Sequence, residues 1–275
     1  MTFQHTMPEL PEVETIVREL QKKAIALKLF RCVVIHAEVV NARENQFRML
    51  EGGRVQKVGR VGKYLYLEFD NGCRLWFHLG MTGQLRWIEN PQAPDRHVHL
   101  ILRFEAAAHG LWFRDIRKFG EVFVTGERKI PAPLQLLGPD PFEISSDRFI
   151  SLFQKRTGKI KNLLLNQRIV SGLGNIYVNE SLYRAGIDPR RKPCRLPGER
   201  IRRLHGAIRE VLDEAIRFGG SSIDDYLRPD GGKGKFQERH RVYGRTGQGC
   251  FDCGHGIRRI RISGRSSFFC SHCQK

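Results

Sequence analysis

Val13, Ile16, Val17, Leu20, Ala24 and Leu27 recur at helical spacing with charged residues between them. A period of about 3.6 residues predicts a helix over 11–26 with one apolar face against a core. Pro11 suits its first turn, where a missing N–H breaks no hydrogen bond. The runs 54–58, 64–69, 74–78, 98–104 and 121–124 are rich in β-branched and aromatic residues, and Gly or Asn-Gly turns bound several of them. They predict strands, and many short strands after a single helix predict a β-sandwich.

Pro131, Pro133, Pro139 and Pro141 punctuate the next stretch and predict a linker over 131–145. Beyond it the helical period returns, over 148–155, 160–166, 175–184 and 199–217. The last is clearest, with Ile201, Leu204, Ile208, Val211, Leu212, Ala215 and Ile216 on one face and Gly219-Gly220 as its stop. The polar, Gly-rich stretch 221–234 predicts a mobile loop. The expected organisation is α+β: an N-terminal β-sandwich with an N-terminal helix over 1–130, the linker, a helical domain carrying the loop over 146–240, and a cysteine module over 241–275.

Charge adds a partner. Forty-seven basic against 29 acidic residues give a net +18, the electrostatic footprint of a protein that binds phosphates. A chain of 275 residues can bury two ordinary cores. It has no apolar run long enough to span a bilayer, and residues 1–6 lack the basic head and apolar stretch of a secretory signal. Cys32, Cys73 and Cys194 stand alone and read as reduced cytosolic thiols.

The other four cysteines are spaced Cys250-x2-Cys253, sixteen residues, Cys270-x2-Cys273. Paired knuckles of this kind predict one tetrahedral zinc, structural because four thiolates leave no position for water. Arg258, Arg259, Arg261 and Arg265 between the knuckles suggest a β-hairpin that presents cations to DNA. His97 and His99 form a His-x-His pair, open to a metal or to simple alternation along a strand.

The string Met7-Pro8-Glu9-Leu10-Pro11-Glu12-Val13-Glu14-Thr15 carries the candidate chemistry. A chain started at Met7 and freed of that methionine exposes Pro8 as a secondary amine. Its pKa, near 8 for an α-amine, leaves a neutral fraction able to attack a sugar carbon and form an iminium ion. A Pro8 held in a peptide bond has no such chemistry. In purely structural terms, Pro8, Pro11 and the carboxylates simply favour a helix start.

The string resembles the start of the formamidopyrimidine-DNA glycosylase family. So do Gly62-Lys63-Tyr64-Leu65, His78-Leu79-Gly80-Met81-Thr82-Gly83, Asp115-Ile116-Arg117-Lys118-Phe119-Gly120, the run from Asn166 to Tyr177, and the four-cysteine finger. The likeness runs from Met7 to Lys275 and implies a bacterial cytoplasmic, monomeric enzyme. It would excise oxidised purines from duplex DNA and cleave the strand by β,δ-elimination.

The resemblance assigns Pro8 as nucleophile, Glu9 as general acid, Glu12 as a supporting carboxylate, Lys63 as a phosphate contact acting in β-elimination, and Arg265 as a phosphate clamp in δ-elimination. Met81 and Phe119 would fill the gap left by an extruded base, with Arg117 against the orphaned partner. His97, Arg156, Lys161 and Asn175 would touch the backbone, the last within a helix–two-turn–helix element. The loop over 221–234 would cover the extruded base. Many relatives carry Pro where Ile116 stands, which bears on loop stiffness alone. Two alternatives stay open: an endonuclease VIII-like enzyme for oxidised pyrimidines, against which Leu10 speaks, and a non-catalytic damage binder if Pro8 is never freed.

Overall fold

The computed structural model describes residues 7–89, 93–105, 110–126, 129–223 and 225–275. The chain forms two compact units, Met1–Gln135 with Phe218–Lys235, and Leu136–Arg217 with Phe236–Lys275.

The first unit opens with α1 (Leu10–Ala24), whose stripe of Leu10, Val13, Ile16 and Leu20 is wholly buried. It stops before the predicted end because Ile25 is extended and Ala26 turns into the left-handed region at φ 66°. Then follow β1 (Leu29–Val34), a short α2 (Glu44–Arg48), β2 (Val55–Val61), β3 (Tyr64–Phe69), β4 (Arg74–His78), β5 (Gly83–Ile88), β6 (Val98–Phe104), β7 (Gly110–Asp115) and β8 (Glu121–Thr125). They pair antiparallel into two four-stranded sheets, β1-β6-β7-β5 and β2-β3-β4-β8.

Side chains of both sheets and α1 fill one core, Leu65 and Phe77 from one sheet meeting Leu100 and Phe113 from the other. The Phe77 and Phe113 rings lie 5.7 Å apart. Each fully buried side chain of this size contributes about 1.5–3 kcal/mol. The expected β-sandwich is therefore present, with three strands the pattern did not predict. β1 hides its alternation because Phe30 is exposed. β5 and β7 both open on a glycine and carry polar residues at sheet positions.

The second unit contains α3 (Ser146–Gln154), α4 (Ile160–Leu165), α5 (Asn175–Arg184), α6 (Gly198–Arg217) and the hairpin β9 (Arg258–Ile262) with β10 (Arg265–Phe269). Ser145 caps α3 by accepting the Arg148 amide at 3.3 Å. The apolar face predicted for α6 is buried along its length. Between α4 and α5, Gln167 stitches two successive turns: its amide donates to the Leu165 and Leu173 carbonyls and its oxygen accepts the Gly172 N–H at 2.9 Å.

The stretch 221–234 departs from expectation. It groups with the sandwich, and its described residues are tethered rather than loose. Gln84 Nε2 donates to the Asp225 carbonyl at 2.6 Å, the Trp87 amide to Pro229 at 2.9 Å, and Lys235 closes the base on Phe218 at 2.8 Å. Tyr226 is buried in the sandwich core. A polar, Gly-rich composition conceals such anchoring because main-chain atoms supply most of it.

Candidate active site and nucleic-acid interface

Glu9 caps α1 from an extended conformation. Its amide donates to Glu12 Oε2 at 2.8 Å, so the first turn is closed by its own carboxylate. The other oxygen, Oε1, accepts the Ser221 amide at 2.8 Å. Gly220 lies against this carboxylate at φ +80°, and a Cβ there would stand 2.7 Å from Oε1. The Tyr226 hydroxyl reaches the Glu12 carbonyl at 3.4 Å. Glu9 and Glu12 are almost wholly buried, and Pro8 beside them is buried too. The helix start and the loop base thus converge on one pair of carboxylates.

α1 is fixed along β2. Gln21 donates to the Val58 carbonyl at 2.9 Å, and Arg60 pairs with Glu14 at 2.8 Å. These contacts step toward the start of α1 as β2 approaches its turn, which holds Gly62 at φ +58° and Lys63. Lys63 is half-buried and acts on His78: burial first and Lys63 second hold that imidazole down at about 4. The His78 ring lies 4.5 Å from that of Tyr64.

The two loops read from the sequence as DNA probes meet in space. Gly80, at φ +58°, packs so tightly that a Cβ would lie 2.5 Å from the Phe119 carbonyl carbon and oxygen. Asp115, fully buried, organises both loops. Its Oδ1 binds the Thr82 hydroxyl and accepts the Arg117 amide at 3.1 Å, and its Oδ2 accepts the Gly120 amide at 2.7 Å. Phe119 is 54% exposed, with the Arg117 guanidinium 4.7 Å from its ring centroid. Met81 is half-buried. Phe119, more than half exposed, is therefore not a core residue.

His97 is half-buried, while His99 is fully buried with Nε2 against the Asp115 carbonyl at 2.8 Å. Among the described residues neither belongs to a cluster able to hold a metal, and only His99 lies in a strand, His97 standing just before β6.

In the second unit Asn175 opens α5 after an extended Gly174 and is half-buried. Arg156 is exposed, with Nε on the Leu152 carbonyl at 2.8 Å. Lys161 corrects the sequence reading. Instead of facing a phosphate, it is fully buried, and its ammonium donates to the Ser266 carbonyl at 2.6 Å, Ser267 Oγ at 2.7 Å and Asn179 Oδ1 at 3.4 Å. It is a strut between α4, α5 and β10. Asn179, which sequence reasoning missed, also accepts the Phe268 amide at 2.9 Å and donates to the Asn175 carbonyl. No local signal marked it, because its partners come from remote segments.

The hairpin turns at Ser263 and Gly264, both at positive φ, the two-residue turn that matches the twist of its strands. Asn162 donates to Ser263 Oγ at 2.8 Å and braces the tip. Arg265, next in the chain, is exposed. At the base, the Cys250 and Cys273 sulfurs are 3.8 Å apart and those of Cys253 and Cys270 3.5 Å, with all four mutually within 4.8 Å. Thiolates about 2.3 Å from a tetrahedral zinc stand about 3.8 Å from one another, so the set fits one structural zinc. Tyr183 supports it through hydrogen bonds to Cys250 Sγ at 3.1 Å and Asp252 at 2.7 Å.

A β-sandwich with a capped acidic helix start, together with a helical unit closed by a four-thiolate hairpin, defines a zinc-finger protein that acts on DNA. Three family descriptions match in order along the chain: the formamidopyrimidine-DNA glycosylase N-terminal domain over residues 7–122, the H2TH domain of the same enzymes over 137–226, and the zinc finger found in FPG and IleRS over 247–275. The formamidopyrimidine-DNA glycosylase of Solibacter usitatus is 43% identical over 98% of this chain and 100% of its own length. The MutM (Fpg) protein of Thermus thermophilus superposes with a TM-score of 0.86 at 38% identity, covering 97% of this chain and 98% of that one. The wild-type Lactococcus lactis Fpg, in complex with DNA containing N7-benzyl-Fapy-dG, gives 0.89 at 38% identity over 98% of this chain and 100% of that one. The chain belongs to the formamidopyrimidine-DNA glycosylase family. Among the described residues no helix is long and apolar enough to cross a membrane.

Proposed function

We propose that this chain removes oxidised purines from duplex DNA through the amine of Pro8 and then cleaves the abasic strand. The observation that carries this reading is the convergence of Pro8, Glu9, Glu12 and Ser221 at the start of α1. It requires a mature chain that begins at Pro8. In support, the family match opens at residue 7, one residue before the proline.

The neutral Pro8 nitrogen attacks C1′, and Glu9 delivers a proton to the opening deoxyribose oxygen. The attached nitrogen gives up its N–H proton, the base leaves with the bonding pair of its glycosidic bond and takes up a proton, and the freed nitrogen lone pair forms the iminium. Removal of a C2′ proton expels the 3′ phosphate in β-elimination, and a second elimination expels the 5′ phosphate. Lys63 and Arg265 serve these later steps by binding the phosphates. Glu12 holds Glu9 and the loop base in register. Met81, Arg117 and Phe119 occupy the gap in the duplex, His97, Arg156 and Asn175 hold the backbone, and zinc keeps the hairpin folded without entering the reaction. The substrate is DNA containing oxidised purines or abasic sites, met by a monomer in the bacterial cytoplasm.

Pro8→Gly in a protein started at Met7 tests the assignment. Base excision should fall by orders of magnitude while affinity for abasic-site DNA stays within about threefold, because binding rests on phosphate contacts elsewhere. Unchanged excision would remove Pro8 from the mechanism. Cleavage of 8-oxoguanine in preference to thymine glycol separates this reading from the oxidised-pyrimidine one.

A further inference from the structure

The second unit holds a basic pocket that the reaction does not use. It is open, has a volume of about 470 Å³, and is lined by Arg190, Arg191, Lys192, Arg195 and Lys275, with Asp188 as the acidic side chain among them. Asp188 is already committed: it grips the Arg190 guanidinium through both oxygens at 2.9 and 2.6 Å. The Lys275 main-chain oxygen is taken by Arg200 at 2.9 Å. Arg191 acts on the same Asp188 carboxylate through its charge, so one acidic side chain faces all the cations of the pocket.

The lining cations are exposed, but the main chain that carries them is fixed. The Arg191 carbonyl accepts the Ile160 amide at 2.7 Å, the Arg195 amide closes a turn on Lys192 at 3.0 Å, and Arg190 lies 5.3 Å from the Phe269 ring centroid. Cations held together in this way repel one another, and Arg200 nearby is held below its usual range by burial and then by Arg203 and Arg191. A polyanion relieves such crowding.

Of the phosphate contacts already assigned, Arg156 borders the pocket, its carbonyl accepting the Cys194 amide at 3.3 Å, while Asn175 and Arg265 stand apart from it. Asn175 opens α5, a helix about 15 Å long at 1.5 Å per residue, and the pocket residues follow its far end. Arg265 opens β10 and the pocket lies past its other end, about 13 Å away.

We propose that this pocket is a second phosphodiester-binding site, occupied by DNA outside the lesion footprint. The inference rests on the reading of the chain as a DNA glycosylase. Two sources share the chemistry: a flanking stretch of the same duplex, or a separate duplex held in trans.

The test uses the full-length, zinc-loaded protein and its Arg191→Gln/Lys192→Gln/Arg195→Gln variant. Binding is measured by anisotropy on an abasic-site duplex of about one helical turn and on one of about four turns. Capture of a labelled undamaged duplex by enzyme already seated on the short one is measured alongside. The variant should match the native protein in zinc content and in excision and affinity on the short duplex. If flanking DNA fills the pocket, the variant loses about tenfold in affinity on the long duplex and about two units of log–log salt slope. If a second duplex fills it, the variant loses the capture instead. Equal behaviour of the two proteins in both assays would overturn the proposal. So would an equal loss on short and long duplexes, which would place the residues in the lesion footprint. Failure of the native protein to excise on the short duplex would count against the glycosylase reading instead.

Discussion

Glu12 binds the amide of Ser221, 209 positions later in the sequence, at 2.8 Å, and its other oxygen binds the Glu9 amide at the same distance. One buried carboxylate therefore sets the start of α1 and the base of the 218–235 segment together. Any shift of the segment is felt at the proposed general acid.

Replacing Glu12 by Gln puts an N–H where one of these amides needs an acceptor. A lost charge-assisted hydrogen bond of about 1.5–3 kcal/mol predicts a fall in base excision of about ten- to a hundredfold. Cleavage of a preformed abasic site, which needs no loop over a base, should suffer less. Single-turnover rates on the two substrates measure this, and equal losses would mean that Glu12 acts in the shared chemistry instead.

Gly80 offers a test of the paired probe loops. A methyl group there would meet the Phe119 main chain at 2.5 Å with the backbone at φ +58°, so Gly80→Ala must push Met81 and Phe119 apart. Specific affinity for lesion DNA over undamaged DNA should fall about tenfold while nonspecific binding persists. Titrations at one salt concentration would show it.

Lys161→Met keeps the side-chain volume but leaves Ser266, Ser267 and Asn179 without their shared donor. Stranding buried acceptors costs about 1–3 kcal/mol each. Chemical denaturation should therefore show clear destabilisation, with faster zinc release to a chelator. A stability equal to that of the native protein would return Lys161 to the surface role read from sequence.

The contrast between Lys161 and the cysteines shows what the sequence carries. Four thiols at fixed spacing can close on one ion whatever the surroundings, and the stripe of α1 is a local periodicity. Both were legible. Lys161 and Asn179 take their meaning from a hairpin about a hundred residues away, and a lysine amid other cations looks like a phosphate ligand. The 221–234 stretch misled for the same reason, since Glu12, Gln84 and Trp87 anchor it by contacts no local pattern encodes.

His240 predicts a pH dependence. Burial, 7% exposure remaining between the Phe236 and Tyr243 rings, pulls its imidazole down to about 4 against the Tyr243 main chain, which raises it. Above about pH 6.5 the folded and unfolded forms are both neutral and the group contributes nothing. As the pH falls from 6.5 to 4 only the unfolded chain takes the proton, so stability is lost progressively, by up to about 3 kcal/mol. Denaturation midpoints from pH 7 to 4 should show this slope, and His240→Gln should flatten part of it.

The most direct measurement is borohydride reduction of the enzyme on 8-oxoguanine DNA, followed by intact mass and peptide mapping of the trapped adduct. The amine mechanism predicts a covalent product whose protein begins at Pro8 and carries the sugar on that nitrogen. An adduct on Lys63, or a chain that retains Met7 and excises the base without any trapped product, would contradict it.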